Sequence, residues 1–338
     1  MRFREKMYNC GIFQRNSLPV PIISVGNLVL GGTGKTPTVR YLAELLSRWG
    51  YHPAVISRGY GGKAKEKCNV VADSSSILLT PEFAGDEPYM LAESLPGIPV
   101  LTGRKRFYPC RRAVEAFNAD VLLLDDGFQH LAVKRDIDLV LFDATVLAAD
   151  KRIFPGGILR EPLSALSRCH AFLITGITKD NRQQAEHFGA WLYHQYECKP
   201  VFYATLEGLQ LQTVDQGMAE DQTLEPFFAF CGIANPSRFE NGLNALSNKP
   251  CGFLSFPDHV PYNQRMAKDI CKQARACGAK VLVTTRKDFV KIQGIELSLP
   301  CYVAEMKFQI GKDFDTFLDT SLAKLKIFPP ISKRYTKT

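Results

Sequence analysis

The segment Pro21–Thr36 constrains this chain more than any other. An apolar run through Ile22, Ile23 and Val25 gives way to Gly31, Gly32 and Gly34, and then to Lys35 and Thr36 at the head of a helical pattern carrying Tyr41, Leu42, Leu45 and Leu46. A strand that runs through glycines into a helix can turn successive backbone N–H groups toward a phosphate, with the helix N-terminus adding positive potential. Lys35 can reach β and γ oxygens, and Thr36 can ligate Mg²⁺ through its hydroxyl. The expected phosphate cradle is Val29, Leu30, Gly31, Gly32, Thr33, Gly34, Lys35 and Thr36. It departs from the G-x-x-x-x-G-K-S/T pattern at one place, because Val29 stands where the first glycine belongs. The guanine-recognition motif Asn-Lys-x-Asp is absent, with Lys179-Asp180 and Lys287-Asp288 as imperfect echoes, so adenine is the expected base.

A phosphate loop needs a sheet around it. Short apolar runs at 20–28, 53–57, 98–102, 120–125, 137–142 and 170–175 alternate with helical patterns near 36–49, 86–95, 105–117 and 180–196. That rhythm predicts a P-loop NTPase-like α/β domain with a mostly parallel sheet over 1–199, of which 1–19 is an N-terminal segment. Residues 200–225 read as a strand-like linker. A second rhythm, with strands near 227–232, 251–256, 280–285 and 301–306 and helices near 236–247, 262–277 and 313–326, predicts a smaller α/β domain over 226–330. The Lys/Thr-rich end, 331–338, is expected to be disordered. With 338 residues, 46% of them hydrophobic, the chain can give each domain its own core.

The remaining composition narrows the function classes. A formal charge of +8 favours an acidic partner such as nucleotide phosphate, an anionic lipid surface or nucleic acid. Arg104, Lys105, Arg106, Arg111 and Arg112 form a local basic cluster that a solvated helix face would explain equally well. Ten cysteines occur without a Cys-x-x-Cys pair, which points to reduced, mostly buried thiols. No run of about 18 apolar residues could span a bilayer, and Met1–Gln14 lacks the apolar centre of a signal peptide. A cytosolic protein, or one on a membrane face bordering the cytosol, is expected, with residues 2–13 available as a basic amphipathic contact.

Candidate chemistry beyond phosphate binding lies in four places. Val121–Asp125 followed by Asp126 is an apolar strand ending in two carboxylates, where α/β sheets bind ligands, so Asp125 and Asp126 are expected to organise metal and water. Asp86 and Glu87 open a helix; Asp86 reads either as an N-cap, with Pro88 in the first turn, or as a base for an acceptor hydroxyl. His259 sits in a loop after a strand and could tune Asp86 as a two-residue relay. Phe154–Pro162 is a Gly/Pro-punctuated loop whose Arg160 could hold an acidic substrate or serve only in a connector.

Taken together, Val25-Gly-Asn27 with Gly31–Pro37, Ser57–Gly62, Gly85–Pro88, Asp125–His130, Phe154–Leu163 and Phe256–His259 resemble the tetraacyldisaccharide 4'-kinase family of lipid A synthesis. The blocks match in order and spacing over roughly residues 8–325. The resemblance implies an ATP- and Mg²⁺-dependent kinase on the cytoplasmic face of the bacterial inner membrane. It would transfer the γ-phosphate to the 4'-hydroxyl of tetraacyldisaccharide 1-phosphate to give lipid IVA. It further implies Asp86 as the base, His259 as its dyad partner, and Lys35 at the transferring phosphate. Thr36, Asp125 and Asp126 would serve the metal, and Arg58, Glu87, Gln129, His130 and Arg160 the substrate. The partners implied are the lipid substrate and an anionic membrane surface, with no nucleic acid.

Two departures stand out. Members of the family usually begin with an additional apolar helix, and this chain starts at about its end, so either membrane contact would rest on residues 2–13 and nearby basic surface or the true start lies upstream. In Thr284–Asp288, Arg286 stands where the family more often has Glu. Alternatives that the residues themselves leave open are a P-loop metallochaperone, motivated by the cysteines, and a kinase of a soluble sugar or nucleoside.

Overall fold

Strand β1 (Ile22–Asn27) is buried along its whole length, as a continuous apolar run requires when helices cover both faces of a sheet. In the computed structural model it begins a unit formed by Met1–Leu206 and Phe308–Thr338; a second unit comprises Glu207–Lys307. The structure describes residues 2–29, 32–146, 153, 156–213, 225–233, 235–244, 246, 248–258 and 260–325.

Along the first unit the chain forms α1 (Arg2–Asn9), β1, α2 (Lys35–Arg48), β2 (Pro53–Ser57), β3 (Asn69–Ala72), α3 (Pro81–Ala84) and α4 (Asp86–Ser94). It continues through β4 (Val100–Thr102), α5 (Phe107–Phe117), β5 (Val121–Asp125), β6 (Ile137–Asp143), β7 (Ala171–Ile177), α6 (Arg182–Gln195) and β8 (Val201–Thr213). The sheet order is β3-β4-β2-β5-β1-β6-β7-β8, parallel except for β3 against β4. Register sets Ile23 beside Leu123 on one side and Ile137 on the other. The chain runs from β1 toward β2 on one side and from β6 toward β7 on the other. Strand order therefore reverses between β1 and β6, and a crevice opens at their carboxyl ends.

Helix α2 covers one face. Val39, Leu42, Ala43 and Leu46 bury completely against Ile23, Val25 and Leu123, each such large side chain contributing about 1.5–3 kcal/mol. Its N-cap, Gly34, has φ 77°, the left-handed region that glycine tolerates without cost.

The second unit has the sheet order β10-β9-β11-β12, all parallel. Its strands are β9 (Phe227–Cys231), β10 (Gly252–Ser255), β11 (Val281–Thr285) and β12 (Cys301–Ile310), with helices α7 (Pro236–Asn244), α8 (Gln264–Ala276) and α9 (Arg286–Ile292) between them. Helix α10 (Lys312–Lys324) then follows β12.

The structure differs from the sequence reading in several places. Helix α10, placed by its position in the chain with the second domain, packs in the first unit. Phe314, Leu318 and Leu322 are fully buried there, Phe314 lies 5.2 Å from the Phe202 ring, and Tyr41 donates to Asp315 at 2.6 Å. Helix α9 has no counterpart among the predicted elements; it starts directly after β11, where the Thr285 side chain caps it by accepting from the Asp288 N–H. The edge strand β3 and the one-turn α3 have no counterpart among the predicted elements, being too short to show a period. The ten cysteines are all free, but they are not mostly buried: Cys10, Cys198, Cys251 and Cys277 are exposed. The segment 331–338 and part of the linker, 214–224, lie outside the described residues.

Candidate active site

The turn after β1 is braced from below. Asn27 donates its side-chain amide to the Thr33 hydroxyl at 2.8 Å, and the Thr175 hydroxyl donates to the Thr33 carbonyl at 3.0 Å. Thr33 is thus buried and structural, while Gly32 is exposed and Thr36 half-buried at the head of α2. Val29 does not face the crevice with its side chain. It is buried beside Leu28, Phe128 and Leu159, and its backbone bridges Leu159. A β-branched core residue therefore replaces the usual glycine without entering the loop's open side. Leu30 and Gly31 lie outside the described residues.

Lys35 points toward the carboxyl end of β5. Its Nζ lies 3.7 Å from Asp126, whose two oxygens accept from one Arg160 nitrogen at 2.9 and 2.8 Å. Asp126, the first residue past the end of β5, adopts φ 51°, an uncommon conformation outside glycine. Burial opposes ionisation of Asp126, yet Lys35 and Arg160 hold it below the usual carboxylate range. Asp125, one residue earlier, remains in line with the strand and is 2% exposed. Burial, then the charges of Glu87 and Asp126, push its pKa up to about 6 against the pull of Lys35 and a 3.0 Å hydrogen bond from Ser57. The other Asp125 oxygen, Oδ1, is buried with no hydrogen-bond partner. An unpartnered carboxylate oxygen beside a second acid fits a hard divalent cation with oxygen ligands.

Asp86 is delivered by a different device. It is the first residue of α4 rather than its N-cap; Gly85 holds that place, with φ 90° and ψ 151°. A Cβ on Gly85 would stand 2.5 Å from the Tyr60 carbonyl, and one on Gly62 would stand 2.5 Å from the Phe83 carbonyl. The Ser57–Gly62 loop and the Gly85 turn therefore lie backbone against backbone, reinforced by hydrogen bonds from Lys63 and Ala64 to the carbonyls of Glu82 and Phe83. This contact presents half-buried Asp86 and exposed Glu87 at a helix start. His259 lies outside the described residues.

A cavity of about 950 Å³ opens beside the Asp126–Arg160 pair. Its cations are Arg58, Arg104, Lys105, Arg106 and Arg160, against the single carboxylate of Asp126; Gln129 and His130 also line it. Four of the five residues proposed for substrate thus converge here, and Glu87 does not. Arg106 is 3% exposed and donates to the Gly103 carbonyl at 3.0 Å. The basic cluster splits: Arg104, Lys105 and Arg106 face this cavity, whereas Arg111 and Arg112 are exposed on α5, Arg111 pairing with Glu115 at 2.7 Å. Tyr8, Ile12, Phe13, Phe107 and Tyr108 give the same cavity an apolar side. Sequence reading missed that role for residues 8–13 because it is set by α1 folding back onto the domain. Among the described residues, no cluster of three or more His, Cys, Asp or Glu could hold a metal ion, and no helix is long and apolar enough to cross a membrane.

The family model described as LpxK, tetraacyldisaccharide-1-P 4'-kinase, matches residues 1–323. The tetraacyldisaccharide 4'-kinase of Desulfotalea psychrophila is 46% identical over 320 residues, covering 94% of this chain and 91% of that protein. The one from Syntrophus aciditrophicus is 41% identical, with 92% and 87% covered. Among solved structures, an "apo" form of LpxK from Aquifex aeolicus in complex with ATP superposes with a TM-score of 0.76 at 30% identity, over 97% of this chain and 95% of that one.

Proposed function

Because the chain belongs to the tetraacyldisaccharide 4'-kinase family, we propose that Lys35, Asp126 and Arg160 join an ATP site to the basic cavity that receives the phosphate-bearing lipid. The observation that carries this reading is the continuity of charge. Lys35 at the head of the phosphate loop pairs with Asp126, Asp126 pairs with Arg160, and Arg160 lines the cavity.

The loop N–H groups and Lys35 hold the β and γ phosphates of ATP, the donor named with the Aquifex structure. Thr36, Asp125 and Asp126 are the residues that would hold Mg²⁺, which supplies neutralisation of phosphate charge when bound. Asp86 takes the proton of the sugar 4'-hydroxyl as its oxygen attacks the γ phosphorus. The bond from that phosphorus to the β,γ-bridging oxygen breaks, and ADP leaves with the electron pair. His259 is assigned as the partner of Asp86 by its motif, Phe256–His259. The five cations suit the acceptor's existing phosphate, and the apolar side contributed by Tyr8, Ile12 and Phe13 suits acyl chains. A net charge of +8 favours docking on an anionic leaflet, which would be the cytoplasmic face of the inner membrane.

Incubation with radiolabelled ATP and tetraacyldisaccharide 1-phosphate in detergent micelles is expected to add one phosphate to the lipid. Absence of transfer would overturn the reading. Asp86→Ala should lower turnover far more than nucleotide affinity; a collapse of nucleotide affinity instead would remove Asp86 from the base role. Flotation with vesicles containing anionic phospholipid, compared with zwitterionic vesicles, tests the membrane face.

A further inference from the structure

Arg168 belongs to none of the motif blocks, yet its guanidinium touches three segments that wall the cavity. One nitrogen lies 3.0 Å from the Glu5 carboxylate on α1, and another donates to Glu161 at 3.0 Å. The plane sits 4.6 Å from the centre of the Phe128 ring. Glu161 directly follows Arg160, Phe128 follows Asp126 by two residues, and α1 supplies Tyr8 to the cavity wall. The contact is protected: side-chain exposure is 13% for Arg168, 22% for Glu5 and 4% for Glu161. A planar fork that pairs with two carboxylates while its face covers an aromatic ring is a task that guanidinium performs and ammonium does not.

We propose that Arg168 is a positioning residue for acceptor binding, a latch that fixes α1 against the loop bearing Arg160 and the turn bearing Asp126. Without it the apolar and cationic sides of the cavity are no longer held in register. The latch acts on the acceptor and not on ATP, because Glu5 belongs to α1, which contributes to the cavity and not to the phosphate loop. The inference rests on reading this cavity as the acceptor site.

Glu5→Gln is the informative variant, since it removes the charge of the outer leg and leaves the buried Glu161 paired with Arg168. We expect the KM for the disaccharide 1-phosphate to rise about fivefold, the scale of one partly buried ion pair, with the KM for ATP and kcat at saturating acceptor within twofold of wild type. Arg168→Gln should raise the acceptor KM further, and combining it with Glu5→Gln should add nothing, since the latch is already open. An unchanged acceptor KM in Glu5→Gln, an equal rise in both KM values, or additive effects in the double variant would overturn the latch. Phe13→Ala tests the cavity reading separately. If it leaves the acceptor KM unchanged, the cavity reading falls and the latch with it. If Phe13→Ala raises that KM and Glu5→Gln does not, the latch alone is wrong.

Discussion

Gly85→Ala isolates the device that presents Asp86. The native φ of 90° with ψ 151° lies where a Cβ is strained whatever the space, which costs on the order of 1–3 kcal/mol. The added methyl would also stand 2.5 Å from the Tyr60 carbonyl, where ordinary contact begins at 3.4 Å. Both partners are backbone, so neither can rotate away, and the two turns must separate by about 0.9 Å, with overpacking of this kind costing about 1–3 kcal/mol more. The expected loss of stability is therefore about 2–6 kcal/mol, read as a fall in the urea midpoint without a change in slope. Where the protein still folds, Asp86 is displaced by close to 1 Å, and a misplacement of that size costs about 100-fold in turnover. Nucleotide affinity should hold, since the phosphate loop shares no backbone with this turn. A Gly85→Ala protein within 0.5 kcal/mol of wild type and of normal kcat would refute the argument.

Other expectations follow from the same geometry. Lys35→Met removes the cation between the phosphate loop and Asp126, and kcat/KM for ATP should fall about 10²–10³-fold, the scale of one lost transition-state donor. A smaller loss than tenfold would contradict its placement at the transferring phosphate. Phe314→Ala opens a cavity against Phe202 in a fully buried site and should cost about 3–5 kcal/mol by urea unfolding, although α10 lies far along the chain from β1. Thiol titration of the native protein at pH 8 should modify exposed Cys10, Cys198 and Cys277 and spare Cys110 and Cys169. Burial pushes those two thiols up to about 12, so they carry almost no thiolate until denaturant is added; mass-mapped labelling of either in native buffer would contradict their burial.

Much of this protein was already determined by its linear sequence. The phosphate loop is local: a strand, a turn and a helix start lie within the 16 residues of Pro21–Thr36, so chain order alone brings Gly34, Lys35 and Thr36 together. The same holds for Asp125 and Asp126 at the end of an apolar run, and for the alternation that makes a parallel sheet. Tertiary structure decided what chain order could not. It brought Arg160 onto Asp126 across 34 residues and put Val29 into the core rather than the crevice. It divided one basic cluster between a cavity and solvent, and it returned α10 to the first unit after more than 100 intervening residues. Such pairings depend on which faces the folded layers bury, and burial is a property of the whole sheet that no short window of sequence contains. Arg168 is the clearest case. Nothing in its neighbours by sequence marks it, because its partners come from α1, from the loop before it and from the turn after β5, and only their packing gives it a role.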